Sequence, residues 1–215
     1  MKDLLLKTNA TLPIDAKSWS ALDLSAKKVQ DLGLDLSKQA DIENWFSAQV
    51  NQDKVLFGGY MELRSWYGRN PGFVGPEETR NLHIGLDIWA PKGQSVFAVL
   101  DGSIHSFANN NAPGDYGYTL ILEHKIAGAT FFTLYGHLAK FEKDFTVGEK
   151  VTEGQEIAKL GSWNENGNWP SHLHFQIITN IGEYRGDYPG TCFTKEKEKY
   201  EHLCPDPQFL LHIPS

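Results

Sequence analysis

Beyond Val55, apolar and polar positions alternate with a period of two, in short runs separated by Gly, Asn, Asp and Pro. The candidate strands are LHIGLDIWA, SVFAVLDGSIHSF, YTLILEHK, TFFTLYGHL, EIAKLG and HLHFQIIT. Turns are expected at Ala90-Pro91-Lys92-Gly93, Leu100-Asp101-Gly102, Asn109-Asn110-Asn111 and Asn166-Gly167-Asn168. Short strands punctuated in this way predict an all-β sandwich or barrel. Residues 1–55 are richer in Lys, Asp, Ser and Leu and poor in Gly. There DIENWFSAQV predicts a short helix, with Asp41 or Ser37 as N-cap and Ile42, Trp45 and Phe46 on one side. The expected organisation is a partly helical extension over 1–55 packed on the core, a main domain over 56–190 and a C-terminal tail over 191–215.

Composition narrows the class. A chain of 215 residues with 40% apolar residues is long enough to bury a core. Its net charge of −7 argues against non-specific nucleic-acid binding, which needs a basic surface. The first apolar run is only Leu4-Leu5-Leu6, short of a secretory segment of about 7–15 residues, and no stretch approaches the ~20 apolar residues of a membrane span. A cytoplasmic location is therefore expected, or an extracytoplasmic one if a leader has been removed. Cys192 and Cys204 are expected as reduced thiols on that reading. Together with His202 they match no common zinc spacing. The charged run Lys195 to Lys199 reads as a solvated helix face or loop.

Histidines carry the chemistry. By strand parity His83, Gly85 and Asp87 share one face of LHIGLDIW, and His172, His174 and Gln176 share one face of SHLHFQII. Thr133, Tyr135 and His137 likewise share a face of FFTLYGHL. Two residues along a strand span about 6.6 Å, so His172 and His174 reach one small site. Four residues span about 13 Å if fully extended, which would barely let His83 and Asp87 share a metal with bonds of about 2 Å. The strand must bend between them, and Gly85 is the expected place. His105, His124, His202 and His212 read as ordinary surface or satisfied interior residues. The helical zinc-protease motif HExxH is absent.

HIGLD, the Tyr135-Gly136-His137-Leu138 segment and HLHF, in this order, resemble the lysostaphin/LytM-type zinc metallopeptidases. The likeness spans about residues 80–178 and includes PKGQSVFAVLDGSI and VGEKVTEGQEIAKLGS. It implies an antiparallel β-sandwich or split barrel holding one zinc ion. By the same resemblance His83, Asp87 and His174 are the zinc ligands, while His137 and His172 line the site without binding metal. The implied activity is hydrolysis of peptide amides, with peptidoglycan-type cross-link or stem peptides as the default substrate. Zinc would activate a water and polarise the carbonyl, and the two free histidines would move protons or stabilise the oxyanion. Which of them is the base stays open.

Tyr116, Trp163 and Trp169 lie in Gly/Asn-rich loops and Tyr135 shares a face with His137, so all four are candidates for substrate contact. Glu62 and Arg64 share strand parity and are expected to meet substrate or each other. The flanks ENGNWPSHLHFQ and DYPGTC…CPDP resemble peptidase-like modules joined to other enzyme domains, which makes an intracellular non-wall amide the alternative substrate. A non-catalytic peptide-binding module is the alternative from another class. VTEGQEIAKLGS also resembles half of a biotinyl carrier hairpin, but Lys159 sits inside a strand and not at a hairpin tip.

Overall fold

Alternation at period two folds as expected into β-strands, most of them antiparallel. The computed structural model describes residues 1–33, 38–64, 67, 73–74 and 79–213. Its strands are β1 Ser18–Ala21, β2 Lys54–Gly58, β3 Glu62–Leu63, β4 Leu82–His83, β5 Leu86–Trp89, β6 Ser95–Phe97 and β7 Gly102–Asn110. They continue with β8 Gly117–Ile126, β9 Ala129–Leu138, β10 Lys150–Val151, β11 Glu156–Lys159, β12 His172–Ile178 and β13 Thr191–Cys192. The helices are α1 Lys2–Leu5, α2 Ala26–Asp31, α3 Gln39–Gln49, α4 Lys197–Leu203 and α5 Gln208–Leu211. Among the described residues no helix is long and apolar enough to cross a membrane.

An open eight-stranded sheet runs in the order β1-β2-β5-β12-β9-β8-β7-β10. Two small sheets flank it, β11-β6 and β13-β4-β3. One pair departs from the antiparallel expectation: β1 lies parallel to β2, with Ser18 opposite Lys54 and Ala21 opposite Phe57. A parallel pair needs a crossover rather than a hairpin, and residues 22–53, carrying α2 and α3, supply it. The fold thus stitches the N-terminal segment onto the sheet edge beside β5 and β12.

The sheet is covered on both faces, which is why β12 is buried at every position. One face, with Leu86, Ile88, Leu120, Tyr135, Leu173 and Phe175, packs on β6, β11 and both chain ends through Leu5, Ile14, Leu210 and Ile213. The other face presents Ile121, Leu134 and Ile178 to Ile84, Tyr188, Cys192 and Cys204. Both cysteines are free and buried there. A third cluster joins Leu24, Ile42 and Phe46 to Leu56 and Trp89 of the sheet.

The helix in DIENWFSAQV starts earlier than expected. Lys38 stands at the N-cap without a side-chain cap, so Asp41 falls inside the first turn, where its charge suits the helix dipole. Ser37 lies outside the described residues. Ile42 and Phe46, one turn apart, are the buried positions of α3.

Candidate active site

His83 and Asp87 belong to different sheets. β4 pairs with β3 and β13, placing His83 opposite Glu62 and Thr191, whereas β5 pairs with β12 and sets Asp87 directly opposite His174. The chain breaks strand at Ile84–Gly85 to make that change. Gly85 is needed for space as well as for the bend: a Cβ there would overlap the His174 ring and stand 3.1 Å from the Phe175 carbonyl oxygen. With the strand broken, His83 Nε2 comes to 3.3 Å from Asp87 Oδ1.

His174 closes the triangle, its Nδ1 2.9 Å from His83 Nε2 and 3.3 Å from Asp87 Oδ1. Tetrahedral zinc with bonds of about 2.0–2.1 Å separates neighbouring donors by about 3.3 Å, so the three atoms fit one face of such a site. Asp87 Oδ1 is buried and accepts no hydrogen bond. A buried carboxylate oxygen left without a donor needs an explanation, and a cation among these donors supplies one. Its partner oxygen is tied: Arg64 Nη1 donates to Oδ2 at 2.6 Å. Arg64 also donates to Glu62 through Nε at 2.7 Å and to the Tyr67 hydroxyl at 2.7 Å. Arg64 therefore meets Glu62, as parity suggested, and also grips the carboxylate of the site.

Each imidazole has one nitrogen committed, which sets its tautomer. His83 Nδ1 donates to the Gly59 carbonyl at 2.8 Å, and His174 Nε2 donates to Gln176 Oε1 at 2.9 Å. His137 Nδ1 donates to the Asn166 carbonyl at 2.8 Å, and His172 Nδ1 to the Pro170 carbonyl at 2.7 Å. His83 Nε2 and His174 Nδ1 thus keep lone pairs for a metal, and His137 and His172 keep theirs on Nε2. The last two rings lie together, centroids 4.1 Å apart, with His172 Nε2 at 3.7 Å from Asp87 Oδ1.

Electrostatics favours the neutral form of His83, His137 and His172. Burial pushes His83 down to about 4, with the Arg64 cation assisting. Burial and then the neighbouring His172 and His174 hold His137 well below the usual histidine range, and burial lowers His172. Burial opposes ionisation of Asp87, but His83, Arg64 and His172 overcome it and keep the carboxyl well below the carboxylate range.

Tyr135 requires a correction. It does not share a face with His137. It pairs with Phe175 on the core side, rings 5.3 Å apart, and its hydroxyl accepts the Val99 N–H at 3.1 Å inside the main core. The cause is a bulge: β8 pairs Leu120 with Tyr135 and Tyr118 with Leu138, so Gly136 and His137 oppose Thr119 alone. His137 takes a left-handed backbone, φ 62°. The extra residue and reversed φ re-aim its ring from the core to the cleft. Trp163 is also a correction: it is half-buried and does not line the cleft. Tyr116 and Trp169 do line it. Tyr116 places its hydroxyl 3.4 Å from His174 Nε2, and the Trp169 ring lies 6.3 Å from His137.

The cleft has a volume of about 380 Å³. Loops contribute Arg80, Asp115, Tyr184 and Asp187 on one flank, and the N-terminal region contributes Leu24, Ile42 and Phe46 on another. Residue patterns alone missed Arg64 as a carboxylate partner, Gln176 and Asn166 as histidine and loop anchors, and the whole N-terminal flank. A buried Asp opposite histidines does call for a donor to its second oxygen, but Arg80 and Arg69 both lie nearer to Asp87 in the sequence than Arg64 does, so spacing does not single it out.

The model of Peptidase family M23 matches residues 81–185. That stretch contains the four site histidines and Asp87 but neither Arg64 nor α3. Endolysin 2638A of Staphylococcus phage 2638A is 24% identical over 155 residues, covering 71% of this chain and 30% of the relative, so the chain spans less than a third of that relative's length. Among solved structures, a zinc-containing peptidase from Vibrio cholerae is 30% identical at a TM-score of 0.39, with 50% of this chain and 31% of that one covered. The catalytic domain of lysostaphin from Staphylococcus simulans is 22% identical at a TM-score of 0.44, with 74% and 97% covered.

Proposed function

We propose that the chain, whose residues 81–185 match the model of Peptidase family M23, is a metallo-endopeptidase that hydrolyses peptide amides with one zinc ion held by His83, Asp87 and His174. The observation that carries this reading is Asp87 Oδ1, buried without a hydrogen-bond donor and faced by His83 Nε2 and His174 Nδ1 at 3.3 Å each. Zinc bound there supplies Lewis acidity, polarising a carbonyl oxygen and acidifying water.

The chain's own groups do the rest. Arg64 holds Asp87 by one oxygen and directs the other to the donor triangle. Gly59 and Gln176 keep His83 and His174 in the tautomers that present lone pairs inward. His137 and His172 offer Nε2 atoms to the same space, so a proton leaving an attacking water can be held on one ring and passed to the departing amine. A ring carrying that proton also stabilises negative charge on the carbonyl oxygen. Tyr116 and Trp169 wall the space on the loop side and limit water entry.

Peptidoglycan-type stem or cross-link peptides are the first substrates to test, and non-wall peptides and amides the second. Zinc content is measured in purified protein, and hydrolysis is followed on glycine-rich and D-alanine-containing peptides. One zinc per chain with turnover is expected. His137→Ala and His172→Ala should keep the metal and lose about 10²–10⁴-fold in kcat. Protein without stoichiometric metal ends the reading, and metal with no turnover on a broad amide panel makes the chain a peptide-binding module.

A further inference from the structure

One wall of the cleft is built of apolar side chains, three from the N-terminal region ahead of residue 81 and one, Trp89, from the sheet. Leu24 precedes α2, Ile42 and Phe46 sit one turn apart on α3, and Trp89 ends β5; all four line the same cavity as the site histidines. We propose that Leu24, Ile42, Phe46 and Trp89 form a subsite that takes an apolar side chain of the residue flanking the scissile amide. The proposal rests on the amide-hydrolase reading above and adds the substrate class: peptides with a hydrophobic residue beside the cleaved bond.

Three observations lead to it. First, the subsite is continuous with the reacting groups. The Trp89 ring stacks on His172 with centroids 6.0 Å apart and planes 22° apart, and Phe46 stacks on Trp89 at 5.6 Å and 21°. Phe46 is therefore one ring beyond Trp89 as seen from His172. An extended peptide advances about 3.3 Å per residue, so a side chain one or two positions from an amide held at His172 arrives at this wall.

Second, the wall offers no titratable group of its own. Arg64, over Trp89, and Glu62, on the Leu24 N–H, are committed to each other, and Arg64 also to Asp87. Arg64 lies 5.9 Å over the Trp89 ring, where its positive charge would oppose a cationic substrate group. A polar side chain entering here would lose water without gaining a partner, whereas each methylene buried is worth about a fourfold preference. The charged residues Arg80, Asp115 and Asp187 line the cavity through other segments.

Third, the wall is tied mechanically to the site. Glu62 Oε2 accepts the Leu24 N–H at 2.9 Å while Glu62 Oε1 accepts from Arg64. One carboxylate thus joins the N-terminal flank to the guanidinium that holds Asp87. The subsite and the reacting centre keep a fixed spacing, as a selective pocket requires.

The test uses the full zinc-loaded chain and peptides identical but for Gly, Ala, Leu, Phe or Lys at the residue before, or the residue after, the cleaved bond. At one of the two positions kcat/KM for Leu or Phe should exceed that for Gly by about 10- to 100-fold, with Lys at or below Gly. Ile42→Phe fills the pocket and should cut the Leu-to-Gly ratio at least about tenfold. Phe46→Leu, a smaller change that spares the fold, should lower the ratio for Phe substrates more than for Ala. Equal kcat/KM across the series, or variants that scale every substrate by one factor, overturns the subsite while leaving amide hydrolysis standing. No turnover of any peptide overturns both.

Discussion

The two halves of the cleft are positioned by different forces. The histidine and aspartate half stands on backbone register: His174 faces Asp87 on one neighbour and Gly136 on the other, each fixed by ladder hydrogen bonds of a sheet covered on both faces. The α3 part of the apolar half is docked by side chains, with Ile42 and Phe46 laid against Trp89 and Leu56. Register defines distances to a few tenths of an ångström, as metal ligation needs, while helix docking tolerates exchange of one apolar shape for another. The reacting groups therefore occupy the part of the fold least able to drift, and side-chain selection falls to the part most open to change. The two halves share Trp89, which stacks with both His172 and Phe46.

The largest effect should come from removing a donor on the register half. Asp87→Ala deletes one of the three proposed metal ligands and leaves the Arg64 cation buried without that carboxylate, so zinc should be lost and stability should fall by about 3–5 kcal/mol. Zinc analysis and denaturant unfolding of the same sample check both. If Asp87→Ala retained zinc, the donor triangle would be wrongly drawn. Arg64→Met comes next. It keeps all three donors but frees Asp87 Oδ2, and zinc affinity should drop about 10- to 100-fold in competition with a chelating dye.

Phe46→Ala asks whether the halves are separable. It truncates a core phenylalanine, with an expected destabilisation of about 3–5 kcal/mol, yet touches no ladder hydrogen bond of β5, β9 or β12. Zinc affinity should stay within about threefold of wild type. A loss as large as that of Arg64→Met would mean that the Phe46–Trp89–His172 stack holds the register half in place, and the contrast between the halves would collapse.

The same contrast explains what was legible in the chain. Parity in HLHF placed His172 and His174 on one face because β12 is regular there, whereas His83 and Asp87 meet through the break at Ile84–Gly85 that the reach of four residues required. Parity failed in LYGHL because a bulge leaves no trace in a pattern of period two. Tyr135 and His137 look equivalent until the left-handed backbone at His137 separates them. The parallel β1, the α3 wall and the Arg64–Asp87 pair were not legible for a different reason. Each depends on contacts between segments far apart in the chain, and no local spacing encodes them.

His124 gives the smallest and sharpest test of what makes a histidine part of the site. It is fully buried on the same sheet, but both nitrogens are engaged, Nδ1 with the Asp101 carbonyl at 2.8 Å and Nε2 with Thr133 Oγ1 at 2.7 Å. No lone pair is left for a metal, and the group is structural. Burial lowers its pKa below the ordinary value of 6.5. The unfolded chain therefore binds this proton at a higher pH than the folded one. The resulting stability is complete above about pH 6.5 and declines as pH falls from there toward the folded pKa, with a slope of at most about 1.4 kcal/mol per pH unit for one proton. His124→Gln should remove that share of the acid sensitivity, although it lowers stability at neutral pH by breaking at least one hydrogen bond. Unfolding free energies of zinc-loaded wild type and variant between pH 7 and 5 measure the difference. Parallel curves would mean that His124 is protonated alike in both states, and its burial would then have no bearing on acid stability.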